Sequence, residues 1–200
     1  MKPTIALAWT GASGMIYGLR LLECLLAADA RVSLLISKTS RIVARNELQM
    51  TLPAQPQAVQ KKLNQHFNSQ LGKLQVYGNK DWNSPLASGS NPPDAYVVCP
   101  CTMGRLAKFS AGLADDLICR TADVVLKEKK TLLLVPRETP FSSVHLENML
   151  RLNQAGAVIL PPIPGFYAGA KTINDLVDFV VARILDHLAI KHDFLPRWGN

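Results

Sequence analysis

The chain reads as an α/β domain built on a parallel sheet with helices on both faces. Two observations predict this. Short apolar runs rich in Val, Ile and Leu alternate with longer helix-periodic stretches along the whole sequence. The runs are apolar throughout rather than alternately polar, as strands buried on both faces are. Two hundred residues suit one domain with a core of ordinary size. The expected division is a domain over 1–190 and a C-terminal tail over 191–200.

The elements follow in order. "TIALAWT" (4–10) is a first strand, followed by a helix from about Met15 to Ala28. "RVSLLIS" (31–37) is a second strand, followed by a helical stretch near 39–48 and a polar one near 56–70. "LQVYG" (74–78) is a short strand, and "DAYVVCP" (94–100) leads into helical patterns at 103–112 and 114–129. "TLLLV" (131–135) breaks at Pro136 and leads to a helix through "HLENMLRL"; "AVILP" (157–161) precedes a last helix over 173–189. That helix opens with Thr172-Ile-Asn-Asp175, which resembles a capping box, and Leu176, Val177, Val180, Val181, Ile184, Leu185 and Leu188 form its apolar stripe. Residues 79–93 and 161–171 are loops beside strand ends, where open parallel sheets bind ligands.

Composition narrows the function. No apolar run reaches a membrane span, and "MKPTIALAWTG" enters a glycine turn without a signal peptide's apolar region, which suggests a cytoplasmic protein. The net charge is +7, but the 22 basic residues form no long run and aromatics are sparse. That fits an anionic small molecule better than nucleic acid. Cys24, Cys99, Cys101 and Cys119 match no zinc spacing, and Cys99-Pro-Cys101 is too tight for an ordinary disulfide; buried, reduced thiols are expected.

"TGASGMIYG" turns from the first strand into a helix. Gly11, Gly14 and Gly18, spaced G-x-x-G-x-x-x-G, would let the backbone turn tightly and expose amides to an anion at the helix N-terminus, or form a purely structural turn. The spacing is neither a dinucleotide fingerprint nor a P-loop, and the second strand ends in Ser37-Lys38 with no acid for an adenosine ribose. A smaller phosphate-bearing ligand such as FMN fits better than NAD. "SGS" (88–90) and "CTMGR" (101–105) offer further hydroxyls and amides, although turn chemistry alone explains either. Arg120 and Lys127, seven apart on a helix, would grip a phosphate or form i,i+4 surface pairs with Asp116 and Asp123. Arg183 lies at the edge of its stripe and would turn inward or outward. Asp115-Asp116 does not continue into a D-D-x-x-D magnesium motif, and His145 in "VHLENML" lacks a metalloprotease pattern. Arg137 and Glu138 stand together at the tip of a buried strand, where a fold alone has little use for them.

"TGASG", "ASGS", "CPCTMG", "CRTADVVLKEKKTLLLVPRETPFSSVHLENMLRL", "GAVILPPIPGFY" and "LVDFVVARILDHL" together resemble the flavin prenyltransferases of UbiX type, from about residue 3 to Gly199. The resemblance implies a three-layer α/β/α fold, Rossmann-like or flavodoxin-like. It implies FMN bound between subunits of trimers that assemble into a dodecamer, and it implies no metal. The implied reaction joins a dimethylallyl group from dimethylallyl monophosphate to N5 and C6 of reduced FMN. The prenylated FMN then serves a partner decarboxylase in ubiquinone synthesis or aromatic acid breakdown.

Carried over by position, Gly11 to Gly14, Ser37, Thr102, Met103, Gly104, Arg105 and Arg137 bind the flavin. Arg120, Lys127, Arg137, Glu138, Tyr167 and Arg183 surround the substrate phosphate. Trp82, Ser88, Gly89 and Ser90 wall the prenyl pocket. The resemblance implies that Glu138 is the acid for the leaving phosphate and that Ser13, backed by Glu47, relays the proton lost at ring closure. Two positions depart from the pattern. Arg105 replaces a small hydroxyl residue, and Ala168-Gly169-Ala170 replaces a His-x-Pro sequence after Tyr167. A flavin-dependent cysteine decarboxylase would carry a P-x-M-N-x-x-M-W clamp where "PRETPFSSVHLENM" stands. An electron-transfer flavodoxin would be acidic and would need no second phosphate site.

Overall fold

A computed structural model describes residues 2–69 and 73–194. Six strands, β1 (Thr4–Trp9), β2 (Arg31–Ile36), β3 (Leu74–Tyr77), β4 (Ala95–Cys101), β5 (Thr131–Pro136) and β6 (Val158–Ile159), form one sheet in the order β3-β2-β1-β4-β5-β6. Every neighbouring pair is parallel. Seven helices are described: α1 (Met15–Ala27), α2 (Lys38–Leu48), α3 (Pro56–His66), α4 (Met103–Ser110), α5 (Leu117–Lys127), α6 (Ser143–Gln154) and α7 (Ile173–His187). Short 3-10 turns at Pro85–Ala87 and Phe166–Ala168 interrupt the two expected loops.

Strand pleating divides the core between the two faces. Ile5, Leu7 and Trp9 of β1 join a cluster with α1 and α7, whereas Ala6 and Ala8 join one with α4, α5 and α6. β4 alternates likewise up to a register irregularity between Val98 and Cys101. All four cysteines are buried and unpaired.

Side-chain caps fix where the helices start. Ser37, Thr102, Asp116, Ser142 and Thr172 each accept an amide hydrogen from the first turn that follows. The Asp116 cap makes α5 begin at Leu117 rather than at the expected 114. The capping box at Thr172 and Asp175 forms as expected, and a second one pairs Ser142 with His145, which gives that histidine a structural task. β6 is shorter than 157–161, and β5 runs on through Pro136. Residues 195–200 of the expected tail lie outside the described residues. Before them, Arg20 lies over the Phe194 ring at 4.9 Å. Among the described residues no helix is long and apolar enough to cross a membrane.

Candidate active site

The strand order reverses between β1 and β4, and the loops leaving their carboxyl ends diverge to opposite faces. That is the usual ligand crevice of an open parallel sheet. Thr10, buried at the tip of β1, holds the two loops together. Its hydroxyl donates to the Pro100 carbonyl at 2.7 Å and accepts from the Thr102 amide at 2.9 Å. Nothing in the sequence marked Thr10 beyond its place at a strand end.

The glycine turn is built differently from the expectation that α1's N-terminus faces a ligand anion. Glu47, near the end of α2, accepts from the amide of Gly14 at 3.0 Å and of Met15 at 2.9 Å. The protein's own carboxylate therefore occupies the start of α1, where Gly14 supplies no side-chain cap. The amides of Ala12 and Ser13, before that helix, and of Met103 and Gly104, at the start of α4, have no partner among the described residues. Gly11 is required sterically, since a Cβ there would lie 2.3 Å from the Thr39 hydroxyl. Ser37 stands beside this turn, 4% exposed, with its hydroxyl capping α2 and 3.1 Å from Thr39 Oγ1. The side chain of Met103 is buried in the core, so its backbone is what faces the loop.

At the tip of β5 the Arg137 amide donates to the Cys101 carbonyl at 3.2 Å, which places the residue next to the α4 loop. Its Nε is buried and has no hydrogen-bond partner among the described residues. A buried guanidinium nitrogen left open at a ligand crevice fits an anionic or carbonyl-rich ligand. Together with the open amides and the space beside Gly104, it suits a flavin mononucleotide. Glu138 is exposed, accepts the Thr139 amide at 3.2 Å, and forms no ion pair among the described residues.

The expected phosphate residues fall into two groups. Arg120 and Lys127 lie on α5 against loop 85–90. Arg120 Nε donates to the Ala87 carbonyl at 3.0 Å, and a Cβ on Gly89 would lie 2.4 Å from Lys127 Nζ. Ser88 and Ser90 share a hydroxyl hydrogen bond of 2.9 Å, and Trp82 is half exposed nearby in sequence. Neither cation makes its expected i,i+4 pair: Arg120 pairs with Asp123, Lys127 with Glu128, and Asp116 with Arg105. Tyr167 and Arg183 belong to the opposite layer. The Tyr167 ring stands edge-on to Phe179 of α7 at 5.8 Å, and Arg183 points outward to Asp186 at 2.6 Å. Phe166 and Tyr167 are each 75% exposed, and Ile163 and Ile173 nearly as much.

A groove of about 860 Å³ lies between α1, α7 and the end of α3. It includes none of these residues, and its cations are paired: Arg20 with Glu23 and Asp178, and Lys73 with Asp29.

Fold and crevice define a flavoprotein-type binder of a mononucleotide, and the family described as Flavoprotein matches residues 1–185. A flavin prenyltransferase UbiX of Pseudomonas aeruginosa is 54% identical over 196 residues, covering 98% of this chain and 94% of the relative. A UbiX protein solved with FMN and dimethylallyl pyrophosphate superposes with a TM-score of 0.86 at 38% identity, covering 100% of this chain and 99% of that one. A dodecameric FMN-dependent UbiX-like decarboxylase from Escherichia coli O157:H7 gives 0.84 at 36% identity, covering 98% and 100%. The chain belongs to the UbiX-type flavin prenyltransferases.

Proposed function

We propose that this flavin prenyltransferase takes dimethylallyl monophosphate and reduced FMN, and that its site is completed by neighbouring copies of the chain. The observation that carries the reading is the open Arg137 guanidinium beside the exposed Glu138 carboxyl at the tip of β5. In the bound state, reduced FMN supplies the nucleophilic N5 and C6 that accept the dimethylallyl unit.

The chain's own residues bind, orient and move protons. The amides of Ala12, Ser13, Met103 and Gly104 and the Arg137 fork hold the flavin and its phosphate. Arg120, Lys127 and Arg183 neutralise the substrate phosphate, and Tyr167 adds a hydrogen bond. When the carbon–oxygen bond of the allyl phosphate breaks, its electron pair leaves with the phosphate, and Glu138 donates a proton to that oxygen. Trp82 and loop 88–90 shield the allyl group from water. Ring closure adds one proton to the remaining allyl double bond and releases one from C6; Ser13, next to the amides that bind Glu47, takes the released proton and passes it toward that carboxylate.

Helix geometry supports the need for neighbours. Lys127 lies seven residues beyond Arg120, about 10 Å down α5, and Arg183 lies ten residues into α7 on the other face of the sheet. In the proposed site, different copies supply them to Glu138. The apolar residues exposed between Ile163 and Ile173 suit a subunit contact, and the dodecameric relative supports an oligomer. The product is proposed to serve a partner decarboxylase that uses prenylated FMN. The missing D-D-x-x-D motif favours the monophosphate, although a relative was solved with the pyrophosphate. Incubating protein, reduced FMN and dimethylallyl monophosphate tests the reading. A flavin heavier by one C5H8 unit supports it, and unchanged flavin refutes it.

A further inference from the structure

We propose that Arg105 is a positioning residue, a clasp that fixes the flavin-loop helix to the helix bearing the phosphate cations; this rests on the reading above. Arg105 is the third residue of α4, and Asp116 is the N-cap of α5. The guanidinium grips the carboxylate at both ends, Nη1 to Oδ1 at 2.8 Å and Nη2 to Oδ2 at 2.6 Å, and Nη1 also reaches Cys119 Sγ at 3.1 Å. The two side chains are 17% and 13% exposed, and among the described residues no other ion pair has both members below one fifth. Screening by water is therefore weaker here than at the surface pairs.

The clasp sits within a continuous run of contacts. The Arg105 amide donates to Thr102 Oγ1 at 3.2 Å, so one residue closes the flavin loop with its backbone and reaches α5 with its side chain. Asp116 also accepts the Cys119 amide at 3.0 Å, and one turn on Arg120 holds the Ala87 carbonyl beside the prenyl-pocket loop. A small hydroxyl at position 105 would be too short to span this gap. α5 has other anchors, with the Leu117 amide on the Asn79 carbonyl at 2.9 Å and the Tyr96 hydroxyl on the Ile118 carbonyl at 3.1 Å. Loss of the clasp should therefore shift α5 rather than unfold it. What changes is the placement of Arg120 and Lys127 relative to the flavin.

The test compares Arg105→Lys, Arg105→Thr, Asp116→Asn and the Arg105→Thr/Asp116→Asn double variant in the full chain, with reduced FMN and dimethylallyl monophosphate. Each single loss should raise KM for the allyl phosphate about tenfold, with kcat at saturation within about threefold of wild type. Lysine should rescue only in part, because an ammonium cannot bridge both carboxylate oxygens. The double variant should be no worse than the worse single one, since an open clasp cannot open twice. Unchanged KM in folded Arg105→Thr, full rescue by lysine, or additive losses would overturn the proposal. A wild type that binds FMN but makes no prenylated flavin removes the reaction reading alone. Hydrogen exchange at amides 117–121 then decides: FMN should slow it in wild type and not in Arg105→Thr, and equal slowing in both would sink the clasp.

Discussion

The Glu47 carboxylate accepts the Gly14 amide at 3.0 Å, so a residue expected to back a proton relay also caps the helix that follows the glycine turn. The two roles separate in Glu47→Gln. The amide oxygen still accepts one N–H, so the loss of stability should stay within about 0.5–2 kcal/mol. Turnover per bound FMN should fall by about 10²–10⁴ if the carboxylate also accepts the ring-closure proton. Denaturant unfolding and flavin-normalised rates measure the two. A loss of stability with unchanged normalised turnover would leave Glu47 a cap only.

Asp116 links stability to pH. Burial pushes its carboxyl up, but the Arg105 fork and the Cys119 amide outweigh that and hold it below the ordinary 3.8. A carboxyl lowered in the folded state stabilises above its unfolded value and loses that contribution as pH falls through the folded value. Wild type should therefore exceed Asp116→Asn in unfolding free energy by about 1 kcal/mol near neutrality. The gap should close below about pH 4. Urea titrations of both proteins at several pH values read this out, and a gap independent of pH would contradict it.

Two glycines should respond oppositely to alanine. At Gly18 a Cβ would lie 2.5 Å from the Cys99 carbonyl oxygen and 2.9 Å from the Trp9 ring, so helix and sheet must separate. Gly18→Ala should lower stability by about 1–3 kcal/mol. At Gly89 the obstructing atoms are the flexible ends of Lys127 and Glu128, at 2.4 and 2.1 Å. Gly89→Ala should fold normally and raise KM for the allyl phosphate. Thermal melts and initial rates distinguish the two, and equal melting losses would contradict this.

Arg183 and Lys127 stand on opposite layers, and the proposed site draws them from different copies. Lys127→Ala and Arg183→Ala should each be impaired alone. Mixed, unfolded and refolded together, they should regain part of the wild-type rate, because some sites then receive both cations. Recovery absent from a mixture shown to form hybrid oligomers would contradict a shared site.

The sheet was legible because strands buried on both faces carry an unbroken apolar run, as "TIALAWT" and "DAYVVCP" do. The capping box at Thr172 was legible because both partners lie within one helical turn. Contacts distant in sequence left no such trace. Asp116 offered an i,i+4 arginine at 120, yet it pairs with Arg105, which α4 brings alongside. Glu47 reaches across 33 residues to Gly14, and Thr10 across 92 to Thr102. Sequence spacing could place Arg120 and Lys127 on one face but could not say what that face meets.

Glu138→Gln tests the central claim most directly, with turnover measured per bound FMN. The substitution keeps the side chain's shape and its capacity to accept the Thr139 amide, but removes the proton that the proposed mechanism delivers to the departing phosphate. FMN should bind as in wild type, held by amides and by Arg137. Dimethylallyl monophosphate should bind at least as well, since a carboxylate beside its phosphate is gone. Turnover per bound FMN should fall by about 10²–10⁴. A normalised rate near that of wild type would contradict the assignment and remove Glu138 from the chemistry.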